Sequence, residues 1–232
     1  MIFSWGYVIE IAPLMLHAAT TTFVMTILSM AAAATIGLFV AAARASRHRA
    51  VASLGWGYVE VLRSVPLLIQ IYFLFFVFPE FGLTLDAFVV GVVGLGIYYS
   101  TFVAEVYRAG LEAVPRGQRE AATALNMGGL RALRSVILPQ AIPPMVPPLG
   151  NYLIEMFKAT PILATIGLHE LLGQGEQLAA DTFRYAEVFF LIAVVFLGLS
   201  YPSSLFIRWL EAHVSLGRQV ARAIAEAEAT VV

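Results

Sequence analysis

The chain opens with a long uninterrupted apolar run. No charged residue occurs from Ala18 to Ala43. These 26 residues, at about 1.5 Å each, reach roughly 39 Å, enough to cross a bilayer with some tilt. Four more apolar stretches follow. Val65–Phe78 is broken only by Gln70, and the pattern predicts that its helix begins near Val51. Ala87–Ala104 is uncharged throughout, and Val188–Ile207 is uncharged and ends at Arg208. Ile142–Ile154 is apolar but rich in proline, with an expected end near Phe157. The pattern predicts five membrane-spanning helices. The first run is too long for the apolar region of a signal peptide, and the first 16 residues hold no Lys or Arg, so it is expected to be retained as a span.

Composition supports this class. Hydrophobic residues make up 60% of the chain and charged ones 12%, against about 45–50% and 25% in soluble domains. The net charge of −1 gives no field for nucleic acid. The absence of cysteine excludes disulfides, thiolate-bound zinc, iron–sulfur clusters and thiol catalysis. The four histidines, at positions 17, 48, 169 and 213, are scattered. His169-Glu170 begins like a zinc-protease motif, but position 173 is glycine, and no metal site is expected.

Charge placement gives orientation. Eleven of the fourteen basic residues fall in one alternating set of segments: Arg44, Arg47 and Arg49; Arg108, Arg116, Arg119, Arg131 and Arg134; Arg208, Arg218 and Arg222. The opposite set holds Lys158 and Arg184, with Glu80, Asp86, Glu170, Glu176 and Asp181. Basic loops stay in the cytoplasm. The reading is an all-α integral membrane protein of five transmembrane helices, its N-terminus outside and its C-terminus cytoplasmic. Residues 1–232 form a single transmembrane domain with a core over about 16–210, and 211–232 form a solvated or interfacial helical tail.

Two loops exceed what connection needs, one external over 158–185 and one cytoplasmic over 107–138. In the second, Pro115 can open a helix. Glu120 lies near its positive end, and Ala121, Ala122 and Ala124 favour helix while leaving almost no side chain. Asn126, Gly128 and Gly129 then stop it, because both residue types tolerate the left-handed conformation. The expected product is a short, small-faced cytoplasmic helix that can approach another protein closely.

The order of residues here resembles the EAA loop of ABC-importer permeases. Glu120-Ala121-Ala122 is followed by Asn126 where that family has glycine, Val136 where it has isoleucine, then Leu138-Pro139. The resemblance covers roughly residues 16 to 210. Arg63-Ser-Val-Pro66-Leu-Leu-Ile-Gln70, Ala104-Glu105-Val-Tyr-Arg108-Ala-Gly110, Gly117-Gln118, Pro148-Leu-Gly-Asn151, Lys158-Ala-Thr160 and Glu170-Leu171 resemble the polar amino-acid permeases. Lys158-Ala-Thr-Pro161 resembles the ectoine and hydroxyectoine type. The resemblance implies that Glu120, Ala121, Ala122, Ala124, Leu125, Asn126 and Gly128 form a coupling helix inserted into an ATPase subunit. It also implies a bacterial inner-membrane location, two ABC ATPase subunits that carry ATP and Mg, and an external solute-binding protein. The chain itself has no phosphate-binding loop, since its single lysine, Lys158, follows Phe157. Five spans are too few to enclose a pathway, which calls for a second permease chain, identical or homologous.

Polar residues within the spans complete the picture. Gln70, Glu105, Asn151 and Glu155 are candidates for a solute pathway, with interhelical hydrogen bonding the plainer alternative. Glu105 and Arg108, like Glu60 and Arg63, are three apart and share a face, as structural ion pairs would. Pro143, Pro144, Pro147 and Pro148 each remove a backbone donor, and Pro147 and Pro148 are expected to mark a kink or gate. No catalytic residues are expected. An intramembrane enzyme would need a nucleophile or metal constellation that the sequence lacks. A gradient-driven carrier would be expected to show inverted repeats and more spans.

Overall fold

The computed structural model describes residues 3–230, with side chains described through residue 213. Every regular element among them is helical. Helix α1, Trp5–Arg44, begins where extended Ser4 accepts a hydrogen bond from the Tyr7 amide, and it runs 40 residues. The uncharged run predicted from sequence lies wholly inside it.

The second expected span is broken rather than continuous. Helix α2, Arg49–Ser64, and helix α3, Leu67–Tyr72, are separated by Val65 and Pro66, and the chain turns by 102° between Arg49–Ser64 and Leu67–Phe81. The cause is local. Proline disfavours helical geometry in the residue before it, and Val65 is extended at φ −107°, ψ 128°. Gln70 closes the break: its Nε2 donates to the Leu62 and Val65 carbonyls at 2.7 and 2.9 Å; the helical donor for Leu62 would be Pro66, which has no N–H, and the break removes the one for Val65. The chain then passes through a π-helical turn, Phe73–Val77, and a 3₁₀ turn, Phe78–Phe81.

Helix α4, Ala87–Glu112, starts at Asp86, whose Oδ1 accepts from the Phe88 and Val89 amides, an N-cap. Helix α5, Arg116–Ala124, and helix α6, Gly129–Ala132, occupy the long loop that follows α4. Helix α7, Leu138–Ala159, runs unbroken through Pro143, Pro144, Pro147 and Pro148. Helix α8, Leu171–Thr182, lies in the loop that follows α7, and helix α9 is Tyr185–Thr230. Side chains from residue 214 onward, most of the expected tail, lie outside the described residues. Among the described residues three helices can cross a membrane by length and apolarity, Trp5–Arg44, Ala87–Glu112 and Tyr185–His213, and the bent pair is a fourth candidate. Helix α7 is long enough at 22 residues, but its prolines together with Gln140, Asn151, Glu155 and Lys158 dilute its apolar character.

Contacts divide the chain into two units. The first comprises Met1–Glu105 and Tyr152–Tyr201. Its core joins Val8, Ile11, Met15 and Ala19 of α1 to Leu171 and Ala179 of α8 and Val188, Leu191, Ile192 and Val195 of α9. Within this unit α1 and α4 meet through small residues spaced four apart, Ser29, Ala33 and Gly37 against Gly96, Ser100 and Ala104. A Cβ on Gly37 would sit 3.0 Å from the Ser100 carbonyl oxygen, and one on Gly96 would sit 2.8 Å from the Ala32 Cβ. Such stripes let membrane helices approach closely where lipid offers no hydrophobic drive. The second unit comprises Val106–Asn151 and Pro202–Val232, with Val114, Ala141 and Met145 at its core under Val106, Tyr107, Leu111, Ile137 and Leu149.

Candidate functional site

Helix α5 stands in the second unit as a nine-residue helix. It opens one residue later than expected: Pro115 is the residue before the helix, with φ −54° and ψ 139°, and Arg116 is the first helical one. Glu120 therefore lies in the second turn, away from the positive end, and the first turn holds no acid. The stop is Asn126, held left-handed at φ 55°. The Met127 amide donates to the Ala122 carbonyl and the Asn126 amide to the Thr123 carbonyl, the bond pattern of a Schellman motif. Gly128 does not share this role. It is extended, at φ −60° and ψ 145°, and precedes α6.

The faces of α5 are unequal. Ala122 is buried and so serves packing within the chain. Glu120, Ala121, Ala124 and Asn126 are exposed, and Leu125 is 76% exposed. Arg119, Glu120, Thr123 and Ala124 line an open depression of about 460 Å³. The segment is fixed from below, because Arg119 Nη2 donates to the Leu111 carbonyl at 2.8 Å and Gln140 Nε2 donates to Gln118 Oε1 at 3.2 Å and to the Val136 carbonyl. The outcome is a small-faced helix, anchored at its base, carrying an exposed leucine at its tip.

The candidate pathway residues have different surroundings. Gln70 is spent on the α2–α3 break. Glu105 accepts from Arg44 Nη1 at 2.9 Å; that guanidinium is 4% exposed in its side chain and lies 3.9 Å over the Trp56 ring. Arg108 pairs with Glu112. Arg63 turns to Thr101, donating to its carbonyl and hydroxyl oxygens, and covers the Phe102 ring at 4.4 Å. Among the described residues no ion pair joins Arg63 to Glu60, so the pairing expected from spacing is replaced by one between helices. Glu155 is exposed and lies within electrostatic reach of the Tyr99 and Tyr152 phenols, and Tyr152 packs on Phe102. Asn151 is exposed, Pro147 is buried and Pro148 is half-buried. No group of three or more metal-binding side chains occurs among the described residues.

One buried acid was visible in the sequence only as part of a motif. Glu170 is fully buried. It caps α8 by accepting from the Leu172 and Gly173 amides, both at 2.9 Å, and it also accepts from the Thr22 hydroxyl at 3.2 Å. Burial pushes its carboxyl above the usual range, opposed by these three donors. The contact with Thr22 spans 148 positions, which no local pattern reports.

Residues 33–216 match the family described as binding-protein-dependent transport system inner membrane component. The chain is 36% identical, over 90% of each chain, to the probable amino-acid ABC transporter permease protein y4tG of Sinorhizobium fredii. It is 32% identical to the glutamine transport system permease protein GlnP of Escherichia coli, covering 93% of this chain and all of that one. The crystal structure of an amino acid ABC transporter with histidines matches with a TM-score of 0.85 and 33% identity, over 92% of this chain and 100% of the other.

Proposed function

The chain belongs to the family of inner-membrane components of binding-protein-dependent transport systems, and on that premise we propose that it is the permease subunit of an ATP-driven importer for a polar amino acid or a related zwitterion such as ectoine. The relatives named for amino acids support the substrate class. Five spans, with the N-terminus outside and the C-terminus cytoplasmic, fit the charge distribution. Two permease chains, identical or homologous, enclose the pathway, two partner ATPases hold ATP and Mg, and an external binding protein delivers solute.

One observation carries the coupling assignment: α5 is short, closed by a Schellman stop at Asn126, braced at its base and exposed on the face of Glu120, Ala121, Ala124 and Leu125. A helix with alanines outward admits a partner's groove close to its backbone, and Leu125 supplies an apolar anchor. Ala122 and Asn126 hold its shape, and Gly128 leads the chain from it into α6. ATP binding closes the ATPase pair, the docked helices move with it, and the pathway opens to alternate sides of the membrane. In the pathway Glu155, beside two phenols, would receive a solute ammonium; Asn151 would donate to a solute carboxylate; Gln70 and Glu105 would hold the framing helices. Pro147 and Pro148 would allow α7 to bend.

The test uses the purified transporter in proteoliposomes. Glu120→Lys and Leu125→Glu should insert normally, yet lose the ATPase stimulation given by loaded binding protein. Undiminished coupled uptake in both variants would reject α5 as the docking helix. Uptake should also stop on ATP depletion and survive collapse of the proton gradient.

A further inference from the structure

The corner between α8 and α9 keeps a costly conformation. Phe183 ends α8 in the left-handed region, φ 56° and ψ 23°, where a side chain with a Cβ crowds its own backbone and glycine would not. Its ring makes no stacking contact among the described residues and is 69% exposed. A bulky residue held in such a backbone with most of its ring exposed calls for a partner outside the chain.

The neighbours identify that partner. Several polar groups at this corner are engaged within the chain, although Asp181 stays exposed: the Ser4 amide donates to Glu187 Oε1, the Tyr7 hydroxyl donates to Thr182 Oγ1, and Arg184 lies over the Tyr7 ring and 3.7 Å from Glu187. Aromatic groups turn outward. Trp5 is 63% and Tyr185 51% exposed, and Trp5 forms an edge-to-face cluster with Phe3 and Phe190. Polar-in and aromatic-out reverses the order of a water-facing surface. Further along, α1 exposes Ile9, Leu14 and Leu16, with Glu10 and His17 among them, and α9 exposes Phe189, Val194 and Leu197; both helices are apolar enough to span a bilayer. Rings with this placement sit at the boundary of headgroups and acyl chains.

We infer that Phe183, with Tyr185 and Trp5, is a lipid-interface anchor that fixes the depth of the first and last spans. The strained backbone aims the Phe183 ring sideways into the bilayer where a glycine would leave the corner in water. The choice of the outer leaflet rests on the orientation proposed above.

The absence of cysteine makes the test direct. Nitroxide labels are attached through Phe183→Cys, Asp181→Cys or Leu197→Cys in the full transporter, in vesicles of phosphatidylethanolamine and phosphatidylglycerol. Collision with oxygen against collision with a water-soluble nickel chelate gives depth. The label at 183 should lie deeper than that at the exposed Asp181 and shallower than that at Leu197. A label at 183 as accessible to nickel as 181, or immobile and reached by neither probe, would overturn the anchor, as would one immobilised only on adding binding protein. If Phe183→Cys fails to insert, Tyr185→Cys gives the same reading. Nickel chelate confined to the outside of right-side-out vesicles tests the orientation separately, because the depth order does not depend on which leaflet is entered.

Discussion

Asn126 and Glu170 each hold a position that most substitutions would disturb for an identifiable reason. At Asn126 the backbone requires φ 55°. Asn126→Gly should be nearly silent in thermal unfolding and in ATPase stimulation, since glycine adopts this conformation freely. Asn126→Val should cost about 1–2 kcal/mol, because a β-branched side chain is crowded in the left-handed region that the short polar side chain of asparagine tolerates, and should weaken coupling because α5 no longer stops in register. Equal behaviour of the two variants would show that the stop is dispensable. Glu170 is different, because its electrostatics set a pH response. Its carboxyl is held above the ordinary range by burial. The unfolded chain therefore releases this proton at lower pH than the folded one, and stability falls as pH rises between the two values. Glu170→Gln should remove that slope, because an amide does not titrate, and should keep the cap, because its oxygen can still accept from Leu172 and Gly173. Glu170→Ala should lose the cap and cost about 1–3 kcal/mol. Unfolding followed by heat across mildly acidic pH measures both.

At the scale of elements, two devices govern how the spans fit together. The first is the break between α2 and α3. Its position was written in the sequence as Pro66, yet the apolar run on either side reads as one helix, and the role of Gln70 follows only once the turn is seen. Gln70→Leu should leave the Leu62 and Val65 carbonyls without their donor, at about 1–3 kcal/mol for each group the break buries. A structural role predicts lower thermal stability and unchanged apparent affinity for solute. Altered affinity at unchanged stability would instead make Gln70 a contact of the solute. The second device is the small-residue stripe between α1 and α4. Gly37→Leu meets the Ser100 carbonyl and the Ala104 amide, backbone that cannot move aside, and overpacking of this kind costs about 1–3 kcal/mol. Gly198→Leu on α9, where a Cβ meets nothing within 4 Å, is the matched control and should be tolerated. The three uncharged spans and the α5 helix were legible from periodicity and residue type. The pairing of Arg44 with Glu105 and Trp56, the capping of α8 through Thr22 and the left-handed Phe183 were not, because each depends on contacts or geometry that adjacent residues do not encode.

For the whole molecule, the number of crossings decides which side each terminus occupies, and α7 decides the number. Three single helices and the bent pair α2–α3 make four crossings by length and apolarity, which would leave both termini on one side. A crossing by α7 makes five and separates them. Its prolines lower apolarity but do not interrupt it: the helix is continuous from Leu138 to Ala159, and at about 1.5 Å per residue it reaches roughly 33 Å. The flanking charges favour crossing, because the loop before α7 carries Arg116, Arg119, Arg131 and Arg134, whereas the loop after it carries Glu170, Glu176 and Asp181. With only four crossings this basic loop and this acidic loop would share one side, against the usual retention of basic loops in the cytoplasm. Single cysteines at Arg131 and Asp181, both exposed, should therefore react from opposite sides with a membrane-impermeant maleimide: Asp181→Cys in intact cells, Arg131→Cys only after the membrane is opened. Labelling of both in intact cells would place α7 on the surface, reduce the crossings to four and put α5 on the side where no ATPase can reach it.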